Sequence, residues 1–374
     1  MKILEMLSSP VYTGPAEPMV SVASFLRSRG HLVELATDTR RPGDLRGRLT
    51  ELGFTLRDDL ALTTRGLPTV LADARRLAHI GRAFDVVHAH FSNDHVAALL
   101  GLRGRRERPR LVRTVHSARS LEKRFLQGTA HRRTDGLITV CAAHARILVE
   151  RFGVAEPRVL ATRGAVDAAF YSPQGPDLRA ELALAPGQPV AGIVARVKEG
   201  RRHDELAQAF RSVVDRLPEA RLLVLGRGEG LPALRERVVR LGLEREVIFA
   251  GYRRGAELAA AYRTLDVKVL LAEGNDGTCR ALLEAMASGR PGIAYRFGAP
   301  SEAIVDGESG LLVEEGDVPA LSEALLALLG SPERARVLGA AARARMQGLF
   351  TESARGTAVE RFFEGLLDLP AAVL

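Results

Sequence analysis

Along most of the chain, short apolar runs alternate with longer segments whose apolar residues recur every three or four positions. In the first half the runs cover residues 2–7, 32–36, 85–88, 111–115 and 136–140, and the periodic segments cover 17–29, 67–82, 94–103 and 143–151. A continuous apolar run bounded by turn residues fits a strand buried on both faces, and three-to-four periodicity fits a helix with one apolar stripe. Strict alternation of the two predicts crossover units, hence a parallel sheet covered by helices on both sides.

The alternation breaks at residues 171–189, where Ser172-Pro173, Gly175-Pro176, Pro186-Gly187 and Pro189 crowd together; this composition predicts a linker or hinge. It then resumes, with strands over 190–195, 221–226, 247–250, 267–271 and 291–294 and helices over 204–216, 231–241, 256–263, 280–288 and 318–329. The prediction is an α/β protein with two Rossmann-like, doubly wound domains, 1–170 and 190–348, facing each other across a cleft. Residues 349–374 are again helical in pattern and could pack on either domain, a return to the first included. In open parallel sheets ligands lie beyond the carboxyl ends of the strands, so that is where chemistry is expected.

Composition narrows the partners. A chain of 374 residues with 46% hydrophobic and 26% charged residues has material for two cores. It has no tryptophan and 5% aromatics, which disfavours the stacking platforms of single-stranded nucleic acid binding. Cys141 and Cys279 are the only cysteines and lack CxxC spacing, which disfavours a disulfide framework or a thiolate zinc site. No apolar run approaches a membrane span, and the N-terminal run is too short for an export signal; a cytoplasmic protein is expected, peripheral at the inner face of a membrane at most. The net charge is +8, and residues 101–133 hold eleven Lys or Arg against Glu107 and Glu122. With Arg75, Arg76 and Arg82, this makes an anionic membrane surface or an acidic acceptor candidate partners, against the plainer reading of a solvated face.

Two segments concentrate the chemistry. LAEGNDGTCRALLEAMASGRPGIAY, 271–295, runs from an apolar strand through an acidic, glycine-containing loop into a helix. Unpaired backbone N–H groups at such a helix start suit hydroxyls or phosphate oxygens, and a carboxylate such as Asp276 or Glu284, eight positions apart, can accept from a ribose diol. IVARVKEGRRHDELAQAF, 193–210, ends a strand with Arg196 and follows it with Lys198, Arg201 and Arg202 before a helix. Guanidinium groups there suit a pyrophosphate, and most strongly one gaining charge as it leaves. A weaker third element is TGPAEP, 13–18, where Gly14 permits close backbone approach.

Taken in order, these segments resemble the retaining glycosyltransferase family 4 of GT-B architecture over nearly the whole chain. The resemblance is carried by the 14–17 loop, Arg29-Gly30-His31, His116 in RTVHSARS, and RGAVDAAFYSP at 163–173. It continues through Arg196 with Arg201 or Arg202, the Asp276–Glu284 pair, and GESGLLVEEGD at 307–317. It implies a nucleotide diphosphate-sugar as co-substrate and a glycan or lipid-linked acceptor, in cell-envelope or polysaccharide biosynthesis, with no cofactor, metal or enzyme nucleophile. It also implies that the acceptor hydroxyl attacks from the face the nucleotide leaves, a donor phosphate oxygen taking its proton. By resemblance Arg196 and Arg201 grip the pyrophosphate, Glu284 holds the ribose, and Asp276 faces the sugar with backbone amides of Thr278, Cys279 and Arg280. His116 lies beside the sugar from the other domain. Gly14, Arg202, Gly226, Tyr252, Arg253 and Gly277 complete the implied donor site. Departures from the family pattern are Asp276 for Glu, with Glu273 nearby, Cys279 and Arg280 for smaller residues, arginine for the pyrophosphate lysine, and Pro15 for a second glycine.

Three other readings compete. His88 and His90 in VVHAHFSNDH, with Asp94 and His95, are imaginable zinc ligands; VLGRGEG, 224–230, has glycines in G-x-G-x-G rather than dinucleotide spacing; and Cys279 reads as a packing residue rather than a nucleophile. The functional alternatives are another enzyme of this architecture, such as a nucleotide-sugar epimerase or a sugar phosphorylase, and a non-catalytic two-lobed sugar-binding protein.

Overall fold

The structure, a computed structural model, describes the chain except Thr13, 64–65, 105–106, 123–126, 274–275 and 373–374, and at 276–278 it describes the backbone alone. Met1–Arg163 together with Glu352–Leu374 make one compact unit, and Gly164–Thr351 make the other.

The first unit is built on seven strands: β1 (Lys2–Leu7), β2 (Leu32–Thr37), β3 (Thr55–Leu56), β4 (Val86–Ala89), β5 (Arg110–Val115), β6 (Gly136–Thr139) and β7 (Val159–Ala161). They pair in parallel in the order β3-β2-β1-β4-β5-β6-β7. β1 is buried on both faces because helices cover both: Ile3 and Leu7 enter one core, Leu4 and Met6 the opposite one. The order reverses between β1 and β4, which opens a crevice at their carboxyl ends.

Helix Glu352–Asp368 belongs to this unit although it lies at the far end of the sequence. Val359, Phe363 and Leu366 enter the core beside helix Ala16–Ser28. Gly136 and Gly356 leave room for Leu366 and Phe25 where any side chain would collide. On the helix, Glu360 accepts from Arg29 at 3.3 Å and lies 2.9 Å from His31, and the Leu367 carbonyl accepts from Arg110 at 3.1 Å; beyond it, Arg108 donates to the Ala372 carbonyl at 2.6 Å.

The second unit holds β8 (Val190–Val194), β9 (Arg221–Leu225), β10 (Val247–Gly251), β11 (Val267–Leu270), β12 (Gly292–Tyr295) and β13 (Gly310–Val313), parallel in the order β10-β9-β8-β11-β12-β13. Its reversal falls between β8 and β11. Ile193, Val267 and Val269 pack with helices His203–Arg216 and Val318–Leu329 on one face. Leu223, Leu225 and Tyr262 pack on the other, joined by Leu178 and Leu184 from the Pro/Gly-rich 171–189 segment. That segment is anchored further by the Leu178 amide donating to Thr264 and by Arg263 donating to the Pro176 carbonyl.

Candidate active site

In the second unit β8 ends at Val194 and the chain enters a loop of residues 195–202, whose backbone lies against a neighbouring loop, residues 226–230, leaving β9. Val197 donates to the Arg227 carbonyl and Gly230 to that of Val197. The closeness explains the alternating glycines of VLGRGEG. A Cβ at Gly226 would strike the Ala195 carbonyl, one at Gly228 the Val197 carbonyl, and one at Gly230 would come 3.2 Å from the Lys198 Cα. Gly226 also has a φ of 149°, outside the reach of other residues.

The arginines on this loop differ in their surroundings. Arg196 is exposed and pairs with Glu229 at 3.0 Å. Arg202 caps helix His203–Arg216 in the left-handed region, pairs with Glu205 at 2.7 Å and with Glu315, and stacks over Tyr295 at 5.5 Å. Arg201 is half-buried, and no carboxylate pairs with it among the described residues. Burial alone pushes its pKa down, with no acid opposing.

Two polar residues of the interior come next, His203 and Lys268, and His203 feels the charges of both Arg201 and Lys268. His203 is 6% exposed and both ring nitrogens lack a hydrogen-bond partner among the described residues. Burial, with the charges of Lys268 and Arg201, lowers its pKa to about 4, so the ring is neutral. Lys268 is fully buried on β11, in register between Gly192 and Gly292, and Nζ donates to the Val269 carbonyl at 2.6 Å. Burial lowers its pKa to about 7 against the charges of Glu284 and Cys279. An ammonium in this position costs several kcal/mol unless an anion accompanies it. Sequence reasoning passed over Lys268, though a lysine inside the apolar run VKVL was a visible signal.

Helix Asp276–Ala287 leaves β11 and carries Glu284, 6% exposed. Its Oε2 accepts from the Tyr262 hydroxyl at 2.7 Å and Oε1 lies 3.5 Å from Arg280 Nε. Burial raises its pKa against these partners, Tyr171 and Lys268. Cys279 is buried, in keeping with a packing role. Asp276 opens the helix, but its side chain, like that of Thr278, lies outside what the structure describes. Arg253 is engaged by Glu181 at 2.5 Å and by the Ala250 carbonyl at 3.1 Å, whereas Tyr252 is 58% exposed beneath Arg227, 4.6 Å away.

In the first unit Gly14, at a φ of 56°, precedes helix Ala16–Ser28 with open space around its Cα. His116 follows β5, its Nε2 3.1 Å from His90 Nδ1. His90 Nε2 lies 2.8 Å from Glu5 Oε2, and His88 Nδ1 lies 2.9 Å from the same oxygen without hydrogen-bond alignment. Burial alone would raise the Glu5 carboxyl, but the charges of His88 and His90 and the hydrogen bond from His90 hold it at about 2. The donor atoms of Glu5, His88 and His90 lie within 4.8 Å of one another, near enough for a metal ion. Asp94 and His95 point elsewhere: Asp94 accepts from the Phe91 and Ser8 amides, and His95 bonds Thr134 at 2.7 Å. Of the basic run 101–133, Arg108 and Arg110 hold the C-terminal tail and Arg113 is buried against His95 and Ser92. Arg105, Arg106, Lys123 and Arg124 lie outside the described residues. No described helix is long and apolar enough to cross a membrane.

Comparison with known proteins gives a consistent picture. Residues 16–170 match Glycosyltransferase Family 4 and residues 175–345 match Glycosyl transferases group 1. The D-inositol 3-phosphate glycosyltransferase of Nocardia farcinica is 31% identical over 314 residues, 78% of this chain and 67% of that protein. Among solved structures, a glycosyltransferase from Rickettsia africae superposes with a TM-score of 0.82 at 16% identity, covering 99% of each chain. Anabaena Alr3699/HepE, solved in complex with UDP, superposes at 0.80 with 19% identity, covering 99% of this chain and 100% of that one.

Proposed function

The chain belongs to Glycosyltransferase Family 4 with the glycosyl transferases group 1, and from that membership we propose that it transfers a sugar from a nucleoside diphosphate-sugar to an acceptor hydroxyl with retention of configuration and without a metal. The observation that carries this reading is the grouping at the β8–β11 reversal of Arg201, Lys268, His203 and the start of helix His203–Arg216. A desolvated guanidinium with no carboxylate is a site prepared for an anion, and a helix start adds N–H groups that favour one. Glu284, acting electrostatically on Lys268, sits where a diol could be held near that anion.

In this mechanism Arg196 and Arg201 take the diphosphate. Their contact strengthens as the glycosidic bond breaks and charge collects on the leaving oxygen, so they stabilise the transition state more than the bound donor. Glu284 orients the ribose, and Asp276 and His116 take the sugar-facing roles that the family resemblance assigns. The acceptor is a hydroxyl of an anionic glycan or lipid-linked saccharide in envelope or polysaccharide synthesis. The name of the Nocardia relative, which specifies a phosphorylated inositol, and the chain's net charge of +8 support an anionic acceptor.

The test is to incubate the protein with a panel of nucleotide sugars and candidate acceptors, with and without EDTA, and to follow nucleotide release. Nucleotide release unchanged by EDTA, with an anomeric proton coupling matching that of the donor, is expected. Donor binding without turnover for any acceptor would favour the sugar-binding alternative.

A further inference from the structure

At the β1–β4 reversal the first unit buries three polar residues, Glu5, His88 and His90, that the proposed mechanism leaves unused. Glu5 on β1 pairs in register with His88 on β4, and two positions further along the same face stands His90. Glu5 is fully buried, and His88 and His90 are 3% and 4% exposed. The line Glu5 Oε2 to His90 Nε2 at 2.8 Å, then His90 Nδ1 to His116 Nε2 at 3.1 Å, runs from the sheet interior to the end of β5. Phe363 of the C-terminal helix closes the inner end, its ring meeting His88 edge-on at 5.4 Å.

We infer that Glu5 and His90 are positioning residues for His116, fixing its ring orientation and placing its proton on Nε2. The protons follow from the partners. An ionised carboxylate only accepts, so His90 must donate from Nε2. Neutral His90 then offers only a lone pair at Nδ1, and His116 must donate to it from Nε2. Nδ1 of His116 is left as the acceptor nitrogen of that ring, the form that receives a hydrogen bond from a hydroxyl rather than giving one. Two imidazoles in series thus carry the instruction of one buried carboxylate to the sheet end. His88, held at Nε2 by Thr114 at 2.8 Å, lies 2.9 Å from the same Glu5 oxygen.

This inference rests on His116 acting at the transferred sugar or its acceptor, and the experiment separates the two. In protein labelled with 15N-histidine, long-range correlations at pH 7.5 should show His116 protonated at Nε2 and bare at Nδ1. That measurement needs no variant. In turnover assays, His90→Phe and Glu5→Gln should lower kcat about tenfold or more while the donor KM changes less than about twofold. His90→Gln, whose amide can donate to Glu5 and accept from His116, should restore most of the rate. If His116→Ala leaves turnover intact, the role given to His116 fails. If His116→Ala abolishes turnover while folded His90→Phe and Glu5→Gln keep theirs, the positioning role alone is overturned. A proton on His116 Nδ1, or an equivalent of zinc or iron recovered with the purified protein, would also overturn it, since Glu5 and His90 would then be ligands.

Discussion

Arg201 and Arg202 are neighbours in sequence with opposite fates: Arg202 turns onto Glu205 and Glu315, and Arg201 meets no carboxylate among the described residues. The left-handed backbone at Arg202, with a φ of 57°, lies between them and sends the two side chains in different directions. Only one of the pair is therefore available to an external anion without first breaking an internal ion pair.

Arg201→Ala should accordingly lower kcat/KM by about a hundredfold, or ~2–3 kcal/mol of transition-state stabilisation, and Arg196→Ala by a similar amount. Arg202→Ala should cost under about 1 kcal/mol, as partly exposed ion pairs do. Steady-state nucleotide release for the three variants measures the contrast, and equal losses at 201 and 202 would contradict it.

Lys268 should make donor binding sensitive to pH. Its folded-state pKa of about 7 means that the ammonium is present below that value and lost above it. Affinity for the nucleoside diphosphate should therefore weaken about tenfold from pH 6 to pH 8, following the protonated fraction. Lys268→Arg, which cannot deprotonate in this range, should give a flat profile. Isothermal titration across the range decides it.

His203 predicts a stability trend of the reverse sense. Its folded pKa of about 4 lies below the ordinary histidine value of 6.5, so burial favours the neutral ring. Its contribution is complete above pH 6.5 and is lost as pH falls toward 4, at ~1.4 kcal/mol per pH unit. Urea unfolding of His203→Asn at pH 7, 6 and 5 should show a shallower loss than the parent protein by about that slope.

Gly228→Ala should act through the backbone it displaces. The new methyl would push the Val197 carbonyl and with it the loop bearing Arg196 and Arg201. A destabilisation of ~1–3 kcal/mol, typical of overpacking, should accompany a donor KM raised about tenfold or more. A crystal structure of the variant with an unmoved loop would remove this explanation.

Much of the architecture was legible because central strands of parallel sheets are continuous apolar runs. The strands that escaped notice, β3, β7 and β13, all lie at sheet edges, where a strand pairs on one side only and can be two to four residues long. At the site, the basic loop after β8 could be read from charge, but charge could not say which arginine was already spent, because Glu315 lies more than a hundred positions away. The same holds for residues 101–133, whose excess of cations suggested an outward-facing surface although Arg108 and Arg110 hold carbonyls of the tail. Glu5 sits inside the first apolar run with no partner nearby in sequence; only the pairing of β1 with β4 brings it to His88 and His90.

The first unit cannot finish folding until the last helix has been made, because Val359, Phe363 and Leu366 are part of its core. All of Gly164–Thr351 is therefore made before the closing piece of Met1–Arg163, reversing the usual amino-to-carboxyl order of domain completion. A protein truncated after residue 351 would carry a protease-resistant later half and an unsealed earlier one.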